Sequence, residues 1–244
     1  MNTINLSSLN YTSFKSYIGS YSIVREVSFD DKRFAYKEFN DEKYFRTMLP
    51  KIIKLSECTI DSAILPLYLV YDDIKNYKII GYLTAYCDFL DCQAIKEKSN
   101  PIYYLNSFKN NIEKLHHNKI IHGDIHYGNL RIEKENQNTN IIDFDNCQYN
   151  KYKLRKKYAS DYANLYISKY GVNEGLDIYL FNIVTFCIIN KIFYHSFRSK
   201  IINNHYGLFN DTEEEKLICD SILLENSQYN KKYLIDAYQK KLNR

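Results

Sequence analysis

The sequence predicts an α+β chain in two parts, a small antiparallel five-stranded sheet with one helix and then a mainly helical region. Three observations carry this expectation. Alternating runs fill much of residues 14–39 and 64–86, the pattern of half-buried strands. From residue 101 onward the apolar side chains recur mostly at helical spacings. Composition shifts at Cys87-Asp88, which separates an expected unit 1–87 from an expected unit 88–244.

In the first unit, Ile23, Arg25, Val27 and Phe29 point one way while Ser22, Val24, Glu26 and Ser28 point the other. Asp30-Asp31-Lys32 turns this strand into a second, Arg33 to Phe39, where Ala35, Lys37 and Phe39 share a face. A lysine between Ala and Phe on an inner face needs a partner, because an unpaired buried ammonium is costly. The bland alternative is a surface lysine on an edge strand. Asp41 to Ser56 reads as a helix on the stripe Tyr44, Phe45, Met48, Leu49, Ile52 and Ile53, kinked or divided by Pro50. Ile64 to Tyr71 and Lys78 to Tyr86 complete the sheet, with a turn through Asp72-Asp73 and Asn76.

The second unit opens at Ser99-Asn100-Pro101, a helix start with proline at its first position. Ile102, Leu105, Phe108, Ile112 and Leu115 form its buried stripe. Leu176 to Phe193 is apolar nearly all round, which predicts a helix buried on every side. Thr212 followed by Glu213 to Glu215 caps a further helix, and Tyr229, Tyr233, Leu234, Ala237 and Tyr238 form a last stripe.

Composition excludes several classes. The chain has 244 residues, 45% of them hydrophobic, enough to bury a core unaided. Six scattered cysteines without a Cys-x-x-Cys pair argue against zinc or a disulfide framework, and fit a reducing cytoplasm. The most apolar segment is interrupted by Asn182, Thr185 and Asn190 and is short for a membrane span, and no signal peptide is evident. A net charge of +4 does not announce nucleic acid.

The chemistry lies in Ile120-Ile-His-Gly-Asp-Ile-His-Tyr-Gly-Asn129 and Ile141-Ile-Asp-Phe-Asp145. A hairpin centred on Glu135 to Asn138 would set Leu130 opposite Asp143, bringing Asn129 and Asp143 to one end of a ribbon beside Asp124. Hard oxygen donors gathered in this way suit Mg²⁺.

These residues resemble the catalytic region of the protein kinase-like superfamily. His-Gly-Asp-x-His-x-x-Asn is similar to the loop of aminoglycoside and choline phosphotransferases, and Ala35-Tyr36-Lys37 resembles the lysine strand of a divergent bacterial-type Ser/Thr protein kinase. The resemblance implies a two-lobed fold and an ATP- and Mg²⁺-dependent phosphotransferase. Asp124 would accept the proton of a substrate hydroxyl, Lys37 would hold the ATP phosphates, and Asn129, Asp143 and Asp145 would serve the metal.

Gly19 and Val24 match the kinase phosphate loop laid on Tyr17 to Val24, with Tyr17 and Ser22 in place of its outer glycines. Ala35 would line the nucleotide, and the backbone of Tyr86 and Cys87 would meet the adenine. Glu42, or else Glu57, would pair with Lys37. His122 would pack under the loop, and His126 is by default a polar loop residue.

Gly123 stands where many kinases have the arginine that clamps a phosphorylated loop, so that regulation is excluded. Asp177, or alternatively Asp161, would brace the catalytic loop from below. Residues 151–157, rich in Lys and Arg, are either a solvated loop or a docking surface for an acidic partner; no regular aromatic interleaving favours nucleic acid. Substrates implied are a protein hydroxyl or a small-molecule hydroxyl. A pseudokinase, a binding module keeping the fold with little catalysis, is the reading from another class.

Overall fold

Two adjacent aspartates in the left-handed region, Asp30 at φ 47° and Asp31 at φ 57°, close the tightest hairpin of the first unit. Such a two-residue turn matches the twist of the strands it joins, and aspartate tolerates that conformation better than most residues. It connects β3 (Ser22–Phe29) to β4 (Lys32–Phe39) in full register, Phe29 opposite Lys32 and Ser22 opposite Phe39.

The computed structural model describes residues 2–74, 77–98, 100–191 and 232–242. Around the hairpin lie β1 (Asn2–Asn5), β2 (Asn10–Ile18), β5 (Tyr68–Asp72) and β6 (Lys78–Ala85). Among the described residues they form a six-stranded sheet in the order β1-β5-β6-β4-β3-β2. This corrects the expected five-stranded antiparallel sheet. The added strand, β1, runs parallel to β5, and its short polar sequence carries no alternation to announce it. The strand expected from Ile64 begins only at Tyr68, after Pro66, whose missing N–H cannot join a ladder. The Asn76 turn lies outside the described residues.

One face of this sheet packs Val27, Phe34, Tyr36, Val70, Ile80 and Leu83 against Ile4 and Leu9. On the other face lies helix α1 (Glu42–Leu55), capped by Asp41, whose carboxylate accepts from the Tyr44 amide at 2.8 Å. Phe45 stacks on Phe39 with ring centroids 4.4 Å apart, and Tyr82 lies 5.8 Å from Phe39. The helix continues through Pro50 without dividing; Pro50 is exposed. Gly81 on β6 stands opposite Glu38 on β4. A Cβ there would stand 2.2 Å from the Lys37 carbonyl oxygen, so only glycine fits.

The backbone divides into two compact units, Met1–Asp88 with Ile142–Asp145, and Phe89–Ile141 with Asn146–Arg244. In the second, β7 (Phe89–Asp91), β9 (Leu130–Glu133) and β10 (Thr139–Ile141) form a three-stranded sheet, and β8 (Ile120–Ile121) pairs with β11 (Gln148–Tyr149). Its helices are α2 (Pro101–His117), α3 (Asp161–Tyr170), α4 (Glu174–Ile189) and α5 (Leu234–Leu242).

Leu105, Phe108, Ile112 and Leu115 of α2 are fully buried, as their spacing requires. Helix α4 is buried from Gly175 to Ile188. Its internal Asn182 is satisfied by backbone, donating to the Lys232 carbonyl and accepting from the Leu234 amide, both at 2.9 Å. That buried amide therefore ties α5 to α4. Ser99, the Thr212-capped helix, Tyr229 and the end of the apolar run at Phe193 lie outside the described residues. No described helix is long and apolar enough to cross a membrane.

Candidate active site

Strand register places the candidate residues of the first unit. Val24 on β3, Lys37 on β4 and Tyr82 on β6 stand directly opposite one another and so share the face covered by α1. Ile142–Asp145 belongs to this same unit and brings two carboxylates to the lysine. Lys37 Nζ lies 2.6 Å from Asp143 Oδ1 and 2.6 Å from Asp145 Oδ2. Tyr82 donates its hydroxyl to Asp145 Oδ1 at 2.5 Å.

Lys37, Asp145 and Tyr82 are all buried. Burial alone would lower the Lys37 pKa, but Asp143 and Asp145 outweigh it and hold the ammonium above its ordinary value. Burial raises the Asp145 carboxyl, with Lys37 opposing. Burial, together with the Asp145 charge, pushes Tyr82 well up, which keeps its hydroxyl a donor. Asp143 adopts φ 68°, an uncommon conformation for a side-chain-bearing residue, and 43% of its side chain is exposed.

Glu42 does not partner Lys37. It sits on the exposed first turn of α1 and pairs with Lys78 and Arg46. Glu57 lies past the helix end and pairs with Lys54. Asp145 takes the place expected for a glutamate. Tyr82 escaped the sequence reading; its signal is the β4–β6 register opposite Lys37, a long-range pairing that no local motif carries.

Gly19 closes the connection between β2 and β3, its amide donating to the Ser22 carbonyl at 2.8 Å, beside exposed Tyr17 and Ile18. Five of the eight residues expected as a phosphate loop, Tyr17 to Val24, are thus strand. Ala35 is half-buried opposite Thr84. Tyr86 and Cys87 follow β6, and the Arg33 guanidinium lies 4.0 Å over the Tyr86 ring.

In the second unit the candidate residues lie on the loop from His122 to Asn129. Ile125 and Tyr127 are buried and pin it, and a turn closed by the Asn129 amide on the His126 carbonyl at 3.0 Å reverses its course. The Asn129 side chain consequently donates back to the Asp124 carbonyl at 2.9 Å and to Asp124 Oδ2 at 3.3 Å.

His126 Nδ1 accepts from the Gly128 amide at 3.0 Å, so a neutral imidazole carries its proton on Nε2, 3.6 Å from Asp124 Oδ2. His122 is buried, and its Nδ1 accepts from the Asp124 amide at 3.2 Å.

Asp177 lies beneath this loop, fully buried. It accepts from the amides of His122 at 2.8 Å and Gly123 at 2.7 Å and pairs with His116 at 3.0 Å. Asp161 is exposed on the first turn of α3.

Gly123, at φ +75°, leaves a space that Leu154 fills; a Cβ would stand 2.0 Å from Leu154 Cδ1. The β9–β10 hairpin forms with Leu130 opposite Ile141, two residues from the expected register. The turn is asymmetric, with Gln137 at φ 61°. A shift of two leaves every side chain on its expected face.

The donor set is of the kind Mg²⁺ takes, hard carboxylate oxygens, and half-exposed Asp143 can offer one. Asp145 fits less directly, because Lys37 and Tyr82 already engage its two oxygens. Among the described residues no three His, Cys, Asp or Glu side chains cluster as a ready-made metal cage. That is the usual situation for Mg²⁺, which relies on one or two carboxylates and substrate phosphates.

No curated protein matches the chain. Residues 85–171 match the ABC1 atypical kinase-like domain. Kinase-like domains of this kind include phosphotransferases and inactive members, and in general use ATP and Mg²⁺. The matched segment contains Asp124, Asn129 and Asp143, and together with the α+β architecture it supports assignment to the protein kinase-like superfamily.

Proposed function

We propose that the protein is an ATP-dependent phosphotransferase that transfers the γ-phosphate to a hydroxyl, with a protein Ser/Thr side chain as the acceptor. The observation that carries this reading is the pairing at 2.6 Å of buried Lys37 with the half-exposed Asp143. A lysine held charged on the inner face of a sheet, against a carboxylate one-half exposed, is suited to phosphate and to a metal-bound phosphate respectively.

Lys37 binds and orients the phosphates, trading part of its pairing with Asp143 for phosphate oxygens. Asp145, held by Tyr82, keeps the ammonium aimed while that exchange occurs. Asp124 accepts the proton of the attacking hydroxyl at a carboxylate oxygen. Asn129 fixes that carboxylate by donating to it, and His126 faces it with Nε2. Asp143 and Asn129 would hold Mg²⁺, which when bound neutralises the phosphate charge. Gly19, Val24, Ala35 and the backbone of Tyr86 and Cys87 would border the nucleotide. A reducing, cytoplasmic setting fits a sequence whose six scattered cysteines include no Cys-x-x-Cys pair.

A second reading, a pseudokinase that binds nucleotide without transfer, is favoured by the full engagement of Asp145 by Lys37 and Tyr82. Incubation with γ-labelled ATP and Mg²⁺, alone, with candidate peptides and with small hydroxyl compounds, separates the readings. Phosphotransfer to protein is expected, and Asp124→Asn should lower it by about 10²–10⁴-fold. Label on small molecules overturns the protein acceptor. Nucleotide binding with label nowhere establishes the pseudokinase, and unchanged turnover in Asp124→Asn removes that residue from its role.

A further inference from the structure

Residues 150–158 are held in place more firmly than a solvated basic loop requires. Tyr149 and Tyr152 exchange two backbone hydrogen bonds at 2.9 Å around Asn150, at φ 51°. Leu154 is buried in the space left by Gly123, the neighbour of Asp124. Arg155 is clamped on both backbone groups by the Asn146 side chain, accepting at its carbonyl at 3.1 Å and donating from its amide at 3.0 Å. A short 3₁₀ turn, Lys156–Tyr158, follows, and Ser160 caps α3.

This anchoring sets an alternation. Lys151, Lys153 and Arg155 are exposed, while Tyr152 is half-buried and Leu154 buried. Lys151, Lys153, Arg155 and Lys156 form no ion pair among the described residues, and residues 151–157 contain no acidic side chain. Flanked by Lys151 on the Tyr149–Tyr152 turn and Lys156 on the 3₁₀ turn, Lys153 and the extended Arg155 stand two residues apart, a repeat of about 6.6 Å in extended chain. That is also the repeat of acidic side chains on one face of an extended peptide.

We infer that residues 151–156 are a docking surface for an extended acidic peptide segment, which selects the acceptor next to the Asp124 loop. The inference rests on the phosphotransferase reading for the docked peptide's role as substrate. Charge complementarity supplies the attraction. An acidic peptide fits better than single-stranded nucleic acid, because the aromatic side chains a nucleic acid would stack on are not presented: Tyr149, Tyr152 and Tyr158 are all half-buried. The Leu154–Gly123 contact fixes the cations beside the loop without any phosphorylated clamp.

The test uses the full chain and fluorescent peptides with a central serine flanked by Glu, Gln or Lys at alternate positions. Binding by anisotropy at two salt concentrations and label transfer from γ-labelled ATP are read in parallel. The Glu peptide should bind in a salt-dependent way, and Lys151→Glu with Lys153→Glu should weaken it about tenfold or more. Equal binding of Glu and Gln peptides, or an unaffected double variant, overturns the docking surface. Tighter binding of a single-stranded oligonucleotide of matched charge overturns it in favour of nucleic acid. Charge-dependent peptide binding without transfer upholds the surface and overturns phosphotransfer instead. Transfer indifferent to flanking charge does the reverse.

Discussion

Tyr82 donates a 2.5 Å hydrogen bond to Asp145 from directly across the strand that carries Lys37. The bond makes Asp145 a fixed counter-charge for the lysine, a role the sequence suggested for a glutamate on α1. Tyr82→Phe keeps the ring against Phe39 and removes only the hydroxyl. The expected result is a loss of about 1–3 kcal/mol in urea denaturation, since a buried carboxylate loses one of its partners. In the phosphotransferase reading it also weakens nucleotide binding, measured by titration; stability equal to wild type would show that Asp145 does not need this donor.

The Tyr36 hydroxyl is buried with no hydrogen-bond partner among the described residues. Tyr36→Phe should therefore raise stability at neutral pH, by about 1 kcal/mol, read as a higher urea midpoint.

Alkaline pH probes the same sheet. Burial first, and the nearby Glu38 charge next, raise the Tyr36 pKa, and Asp143 and Asp145 raise that of Lys37 against its own burial. In both cases the folded chain keeps a proton that the unfolded chain gives up near pH 10. The fold accommodates the protonated form of each, so stability holds below about pH 10 and declines as pH rises from there through the folded values. The urea midpoint should fall above about pH 10, and fall less steeply in Tyr36→Phe.

Gly123 and Leu154 form a knob and its space. Gly123→Ala should cost about 2–4 kcal/mol, combining overpacking with a positive φ. Leu154→Ala loses a buried side chain but makes room, so the double variant should be more stable than the sum of the single losses implies. A strictly additive double-mutant cycle would show that the contact is not limiting.

Asp177→Ala should destabilise by about 3 kcal/mol or more, because the amides of His122 and Gly123 lose a buried charged acceptor together. Asp161→Ala, at an exposed site, should cost under about 1 kcal/mol. Thermal or urea denaturation of the pair distinguishes a brace from a helix-end residue.

Much of the site was legible because its signal is local. Asp124 and Asn129 lie on one loop, Asp143 follows just past the β9–β10 hairpin, and Lys37 stands out as a lysine between apolar neighbours. What stayed hidden depends on residues far apart in sequence. Tyr82 meets Asp145 only through the β4–β6 register. Asn2–Asn5 becomes a strand because β5 offers an edge, which its own four residues do not reveal. The hairpin register turned on the left-handed Gln137, where a symmetric turn was the simpler expectation. Glu42 was assigned by analogy of position, although the first turn of α1 leaves it to Lys78 and Arg46.

The insertion of Ile142–Asp145 into the first unit has a consequence for how the chain acquires its native state. Lys37 and Asp143 are separated by 106 positions, so their pairing closes a long loop whose entropy must be met before the contact forms. A nascent or truncated chain ending at Asp88 would contain every strand of the first sheet and none of the carboxylates that pair with its buried lysine. Such a fragment would have to discharge or expose Lys37. The sheet therefore completes its electrostatics only after the segment that carries Asp143 has been made, and the two units cannot be separated by a single cut without leaving an uncompensated charge behind.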